Sequence, residues 1–156
     1  MADGGELETA TAPHGPFVVK DGEWAGWRYW VGGDPYEDLT GPFYFREEAD
    51  GSYRCAFRAE QKHMNGGGFM HGGCMLTFAD YALFVIGRPA LSEGYAVTVS
   101  LNGDFVGPAN VGDLVEATGE IIRAGGSLVF IRGMIATGGS PMMTFSGVVK
   151  KVKKRI

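Results

Sequence analysis

His63-Met-Asn-Gly-Gly-Gly-Phe-Met-His-Gly-Gly-Cys-Met-Leu-Thr-Phe-Ala-Asp-Tyr-Ala-Leu-Phe-Val-Ile-Gly87 is the stretch around which the chain is organised. Its second half predicts a helix of about four turns from Gly73 to Gly87. The interior contains neither Pro nor Gly, and Gly87-Arg88-Pro89 supplies the stop expected at a helix C-terminus. Apolar residues run nearly all the way round the cylinder, which places such a helix in the interior. Thr77 and Asp80 interrupt it and, three residues apart, share one stripe. An ionised carboxylate on a buried helix costs several kcal/mol unless it is paired or solvated in a cleft. Asp80 is therefore the residue that needs a reason.

The first half of the stretch offers one. Gly66, Gly67, Gly68, Gly72 and Gly73 allow positive φ and close approach of backbone to a ligand. Gly72 and Gly73 fall at the predicted helix start, where unpaired N–H groups and the positive dipole end favour an anion or a developing oxyanion. Donors at one end and a carboxylate two turns along suit acyl-transfer chemistry. A glycine-rich turn, with Asp80 as an ordinary buried hydrogen-bond acceptor, accounts for the same residues.

Composition narrows the classes. The 156 residues are 45% hydrophobic and 21% charged, which suits one globular domain with an adequate core. A formal charge of −4 argues against general nucleic-acid binding, which needs a basic face. No apolar run reaches the roughly 20 residues of a membrane span. Met-Ala-Asp-Gly-Gly-Glu-Leu-Glu at the start has neither the basic nor the apolar region of a signal peptide. Cys55 and Cys74 are the only cysteines, without CxxC spacing or His clusters, so free thiols in the cytoplasm are expected rather than a disulfide or a zinc site.

Along the chain, residues 1–16 read as a disordered leader. Residues 17–34 form an aromatic-rich extension holding all three tryptophans, expected to pack onto the main domain at 35–156. Asp34-Pro35 predicts a short helix with Asp34 as N-cap and Pro35 in the first turn. Strands are predicted at 42–47, 53–59, 95–106, 114–123, 128–137 and 142–151, with hairpin turns at Ala49-Asp50-Gly51-Ser52 and Ala124-Gly125-Gly126-Ser127. In Tyr95–Val106, Val97, Val99 and Leu101 alternate with Thr98, Ser100 and Asn102, the period of a half-buried strand. One buried helix followed by a meander of long antiparallel strands is an α+β arrangement, a curved sheet around the helix. The ending from Lys150 carries five of the fourteen basic residues, read as a charge-protected strand end and less favourably as a phosphate contact.

Asn65, then His71-Gly72-Gly73, then Asp80 resembles the hotdog-fold acyl-CoA thioesterases of the phenylacetyl-CoA and hydroxybenzoyl-CoA type. The resemblance continues through Ala96–Asn102, Phe105-Val106-Gly107-Pro108-Ala109 and Gly112-Asp113-Leu114, covering about residues 35–152. It implies the hotdog fold, a curved antiparallel sheet wrapped around one long central helix. It also implies hydrolysis of an acyl-CoA, medium-chain or aryl, without metal or redox cofactor. Asp80 is then general base or nucleophile, Gly72 the oxyanion donor through its N–H, and Asn65 the amide that orients water or thioester. His71 sets the loop shape, and Gly73 joins the substrate-binding set. Thr98 stands where part of the family has a hydroxyl near the attacking water. Thr77 either bonds the Asp80 carboxylate or its own i−4 carbonyl.

The resemblance further implies a homodimer or a dimer of dimers, with Asp80 working on substrate held by the partner's loop. Three positions depart from the family. Bulky Phe84 stands where many relatives have a small residue, which reshapes the acyl pocket. Gly107 and Gly126 stand where relatives often have a cation for coenzyme A phosphates, leaving Arg123, Arg88 or the basic end as substitutes. A non-catalytic hotdog domain that binds an acyl thioester, as sensor or carrier, is the second class. A hotdog dehydratase fits less well, because no His/acid pair with that spacing is present.

Overall fold

A computed structural model describes residues 15–91 and 94–152. Of the N-terminus expected to be disordered over residues 1–16, residues 1–14 lie outside the described residues, as do the basic residues 153–156. The predicted helix forms as α2, Gly72–Ile86, with His71 as N-cap. A shorter helix, α1, spans Pro35–Thr40, and Asp34 caps it by accepting from the N–H groups of Tyr36 and Glu37 at 3.1 Å. The strands are β1 Phe17–Val18, β2 Arg28–Tyr29, β3 Tyr44–Glu47, β4 Tyr53–Arg58, β5 Tyr95–Phe105, β6 Leu114–Ala124, β7 Leu128–Thr137 and β8 Ser140–Val152. From α2 through β8, every predicted boundary falls within two residues of the observed one. Among the described residues no helix is long and apolar enough to cross a membrane.

All eight strands join one antiparallel sheet in the order β1-β2-β3-β4-β6-β7-β8-β5. That order corrects the expected meander. Helix α2 carries the chain across the concave face, so β5 emerges at the far edge and pairs with β8, while β6 returns to lie beside β4. Register shifts between Thr98 and Ser100, Ile121 and Arg123, and Ile135 and Ala136 mark bulges that bend the long strands. The curvature lets one sheet enclose one helix.

The core lies between α2 and the concave face. Phe78, Ala79, Ala82, Leu83 and Val85 are wholly buried there. Rings of Phe43, Phe57, Phe78 and Tyr81 sit 4.7 to 6.2 Å apart between centroids, mostly tilted or edge-to-face. Each such pair contributes about 0.5–1.5 kcal/mol beyond its buried area. The N-terminal segment adds β1 and β2 to the sheet edge. Its tryptophans pack on β3, with Trp24 stacked on Tyr44 at 4.2 Å and Trp30 on Phe45 at 4.5 Å.

Two further expectations change. Helix α2 is not buried all round: Gly73 and Leu76 are exposed, and Thr77, Asp80 and Phe84 half-buried. At about 100° per residue Gly73, Thr77, Asp80 and Phe84 form one open stripe along the helix. In the first part of β5 the buried face is also the opposite one. Val97 and Val99 are exposed, while Ala96 and Thr98 turn inward, and beyond the register shift at Thr98/Ser100 Leu101 packs on the core. A valine facing Asp80 would leave the carboxylate without a donor, and that polar requirement overrides hydrophobic alternation.

Close approach of helix to sheet depends on glycine in the sheet. A Cβ on Gly147 would strike the Leu83 side chain and come within 2.9 Å of the Ser100 carbonyl oxygen. We expect Gly147→Ala to cost about 1–3 kcal/mol in chemical denaturation, the usual cost of overpacking a core. An exposed control, Gly126→Ala, where a Cβ meets nothing within 4 Å, should change stability far less.

Candidate active site

The loop 63–71 delivers the chain to the start of α2. His63 is buried; its Nδ1 accepts from the Glu60 N–H at 2.9 Å and its Nε2 donates to the Thr40 carbonyl at 2.7 Å. Both ring nitrogens are thereby used in structure. Asn65 folds its side chain back, with Oδ1 accepting from the N–H of Gly67 at 2.8 Å and of Phe69 at 3.2 Å, which leaves its amide NH2 facing outward. Of the five glycines that allow positive φ here, Gly68 alone adopts it, at +84°.

Gly72 and Gly73 are needed for space instead. A Cβ on Gly72 would lie 3.3 Å from the Phe105 ring, and one on Gly73 would lie 3.0 Å from His71 Nδ1. That same His71 nitrogen accepts from the Gly73 N–H at 2.9 Å, so His71 is the helix cap and its Nδ1 is unprotonated. The cap occupies the N–H of Gly73. The N–H groups of Cys74 and Met75 go to the His71 carbonyl, and among the described residues the Gly72 N–H has no such acceptor.

Asp80 lies two turns along on the open stripe. Its Oδ1 accepts from the Thr98 hydroxyl at 2.6 Å, a short charge-assisted bond that joins α2 to β5. Thr77 makes the commoner of its two expected bonds, donating to the Gly73 carbonyl at 2.8 Å, and lies 3.2 Å from the hydroxyl of Tyr36. Phe84, one turn beyond Asp80, packs against the core cluster. Arg123 is not brought to this site: it lines a separate hollow at the β6–β7 hairpin with Gly126, Ser127 and Phe130. Arg88 lies over the rings of Trp30 at 5.4 Å and Phe45 at 5.2 Å.

Beside the start of α2 is a cavity of about 430 Å³ lined by Tyr36, Leu39, Met64, His71, Gly73, Cys74 and Thr77, among others. Burial, partly offset by Lys62, pushes the Cys74 thiol up to about 11, so it is protonated at neutral pH and a poor nucleophile. Among the described residues no group of His, Cys, Asp and Glu could hold a metal ion.

Sequence reasoning missed Glu37, which α1 places in an aromatic hollow with Trp30, Phe43 and Tyr81. Burial, reinforced by the Asp34, Asp80 and Asp38 carboxylates, raises Glu37 from its usual value near 4.5 to about 7. The cap at Asp34 was a readable signal for α1 itself, but nothing local shows that the helix lies against α2.

The comparisons with known proteins agree with this fold. The thioesterase superfamily pattern matches residues 67–141. The Pseudomonas aeruginosa protein PA0474, which bears the name of an esterase, is 36% identical over 115 residues, 73% of this chain and 86% of that protein. Human acyl-coenzyme A thioesterase 13 is 28% identical over 99 residues, 61% of this chain and 68% of its own length. Among solved structures, the Bacillus halodurans protein BH2602 with CoA is similar with a TM-score of 0.65 and 25% identity, covering 71% of this chain and 74% of that one.

The raised Glu37 carboxyl predicts a stability difference with pH. A group whose pKa is higher folded than unfolded favours folding while it holds its proton, and that contribution disappears as pH rises through the folded value. Between about 4.5 and 7 the protein should lose stability from this group, and above 7 the charge is fully penalised. Glu37→Gln, neutral throughout, should be more stable than the parent by about 1–3 kcal/mol at pH 8 and equal to it at pH 4. Denaturant melts at the two pH values give the comparison.

Proposed function

The chain belongs to the thioesterase superfamily, and on that premise we propose that it hydrolyses an acyl-CoA thioester, with a medium-chain or aryl acyl group, through Asp80. The observation that carries the reading is the Asp80–Thr98 bond of 2.6 Å on the open stripe of α2. It fixes one carboxylate oxygen and leaves the other for the chemistry. CoA bound to a structural neighbour supports the thioester class.

In this reading Asp80 takes a proton from water as the water oxygen attacks the thioester carbonyl. The N–H of Gly72 donates to the oxyanion, a role for which His71 reserves it by capping Gly73 instead. Collapse breaks the C–S bond, and the proton on Asp80 passes to the leaving thiolate, giving acid and free thiol. Direct attack by the carboxylate, with an anhydride that water then opens, satisfies the same balance. Asn65 turns its free amide NH2 toward the thioester or the water.

Two copies are required for this. Eight residues of helix separate Gly72 from Asp80, a rise of about 12 Å. Both groups must lie within about 3 Å of one reacting centre, so the base and donor of one site come from different chains in a homodimer or a dimer of dimers. Free edge strand β5, with exposed Tyr95, Val97 and Val99, and the open stripe of α2 with exposed Leu76 are surfaces suited to that contact.

Asp80→Asn keeps the side-chain shape and removes its basicity. We expect the hydrolysis rate to fall by roughly two to four orders of magnitude with little change in stability. A folded variant that still turns over its best acyl-CoA at the parent rate would falsify the mechanism and favour a binding domain. The shared site gives an independent check. Mixing Asp80→Asn with Asn65→Ala protein under conditions that exchange subunits should restore activity toward about a quarter of the parent, because half the dimers then carry one intact site. No recovery despite demonstrated exchange would mean that each site lies within one chain.

A further inference from the structure

Helix α1 lies upstream of residues 67–141, where the superfamily pattern matches, yet it is fastened to the same loop and helix that carry the candidate donor. Three side chains from that region hold it. His63 Nε2 donates to the Thr40 carbonyl at 2.7 Å, Lys62 Nζ donates to the Gly41 carbonyl at 2.5 Å, and the Thr77 and Tyr36 hydroxyls meet at 3.2 Å. A six-residue helix is too short to be stable alone. Its position is therefore set by these bonds and by its Asp34 cap.

Held there, α1 turns two large apolar side chains outward that a solitary surface helix would not need. Leu39 is 74% exposed and Tyr36 61% exposed. Both line the cavity of about 430 Å³ that reaches His71, Gly73 and Thr77. That volume lies within the range of small-molecule sites, about 300–1,000 Å³. On the far side the cavity meets Met64 and Cys74, and burial keeps the Cys74 thiol protonated and uncharged. The one cation on the wall, Lys62, is engaged by the Gly41 carbonyl and lies 4.0 Å from Glu60. Leu39, Tyr36, Met64 and Cys74 give the cavity a largely apolar wall, with Lys62 at its rim as the one Lys or Arg.

From this juxtaposition we propose that α1 is the selectivity wall of the site: Leu39 and Tyr36 receive the uncharged, apolar acyl group of the thioester, and Leu39 sets how large that group can be. The proposal rests on the acyl-thioester reading above and adds the part of the substrate that this segment recognises.

Because Leu39 is mostly exposed, its replacement should not unfold the protein. The test uses the full chain and hydrolysis-inert S-alkyl-CoA thioethers from two to twelve carbons, with affinities measured by calorimetry for the parent, Leu39→Ala and Leu39→Trp. Leu39→Trp should weaken the parent's best thioether relative to S-ethyl-CoA by about tenfold or more, and Leu39→Ala should move the optimum to a longer chain. Identical rankings for the three proteins, or no binding to any thioether, would overturn the proposal. So would a change in sedimentation without a change in ranking, which would assign Leu39 to a contact between copies. A shifted ranking in a protein that hydrolyses no acyl-CoA would sustain the wall and reject the hydrolytic reading.

Discussion

Helix α2 must bury three sides of an apolar cylinder while keeping the fourth open, and the rest of the molecule is arranged to meet that constraint. A flat sheet would cover one side. Here bulges in β5, β6 and β8 bend the sheet around the helix, and glycine in β8 lets Leu83 settle against the strand. The aromatic cluster of Phe43, Phe57, Phe78 and Tyr81 fills the space where α2 crosses β3 and β4. The N-terminal tryptophans then close the outer edge of the same packing.

The fourth side is where the proposed chemistry lies, because only there can a carboxylate keep water. Thr98 comes to Asp80 from β5, where a hydroxyl between the inward Ala96 and Leu101 costs some hydrophobic contact and gives the carboxylate a fixed donor. The cost is offset locally: the hydroxyl is satisfied, and among the described residues no fully buried side-chain polar atom lacks a partner. At the start of the helix, His71 occupies the N–H of Gly73 and so distinguishes two adjacent donors that are equivalent in sequence. The Phe105 ring against Gly72 explains why that position has no side chain.

Helix α1 adds negative charge on the other flank. Asp34, Asp38 and Asp80 all lie near enough to Glu37 to oppose its charge, and burial keeps Glu37 partly protonated near neutral pH. A neutral Glu37 spares Asp80 one more like charge. The segment that supplies it also walls the cavity beside His71, so it borders the candidate site as well as the sheet.

Much of this was legible in the chain itself. The position of α2, its stop at Gly87, the Asp34-capped α1 and the strands from 95 onward follow from local periodicity and capping, which depend on neighbours a few residues apart. The spacing of Asn65, His71-Gly72-Gly73 and Asp80 marked the site for the same reason. Other features were decided only by tertiary structure. The crossing of β5 to the far edge, its reversed face, and the open stripe of α2 depend on which surfaces meet after the sheet curls, and alternation reports a period without naming the buried side. Glu37 belongs to the same class. Its raised pKa and its place beside α2 come from burial and from carboxylates distant in the chain, and desolvation is a property of the folded surroundings that no local pattern of residues encodes.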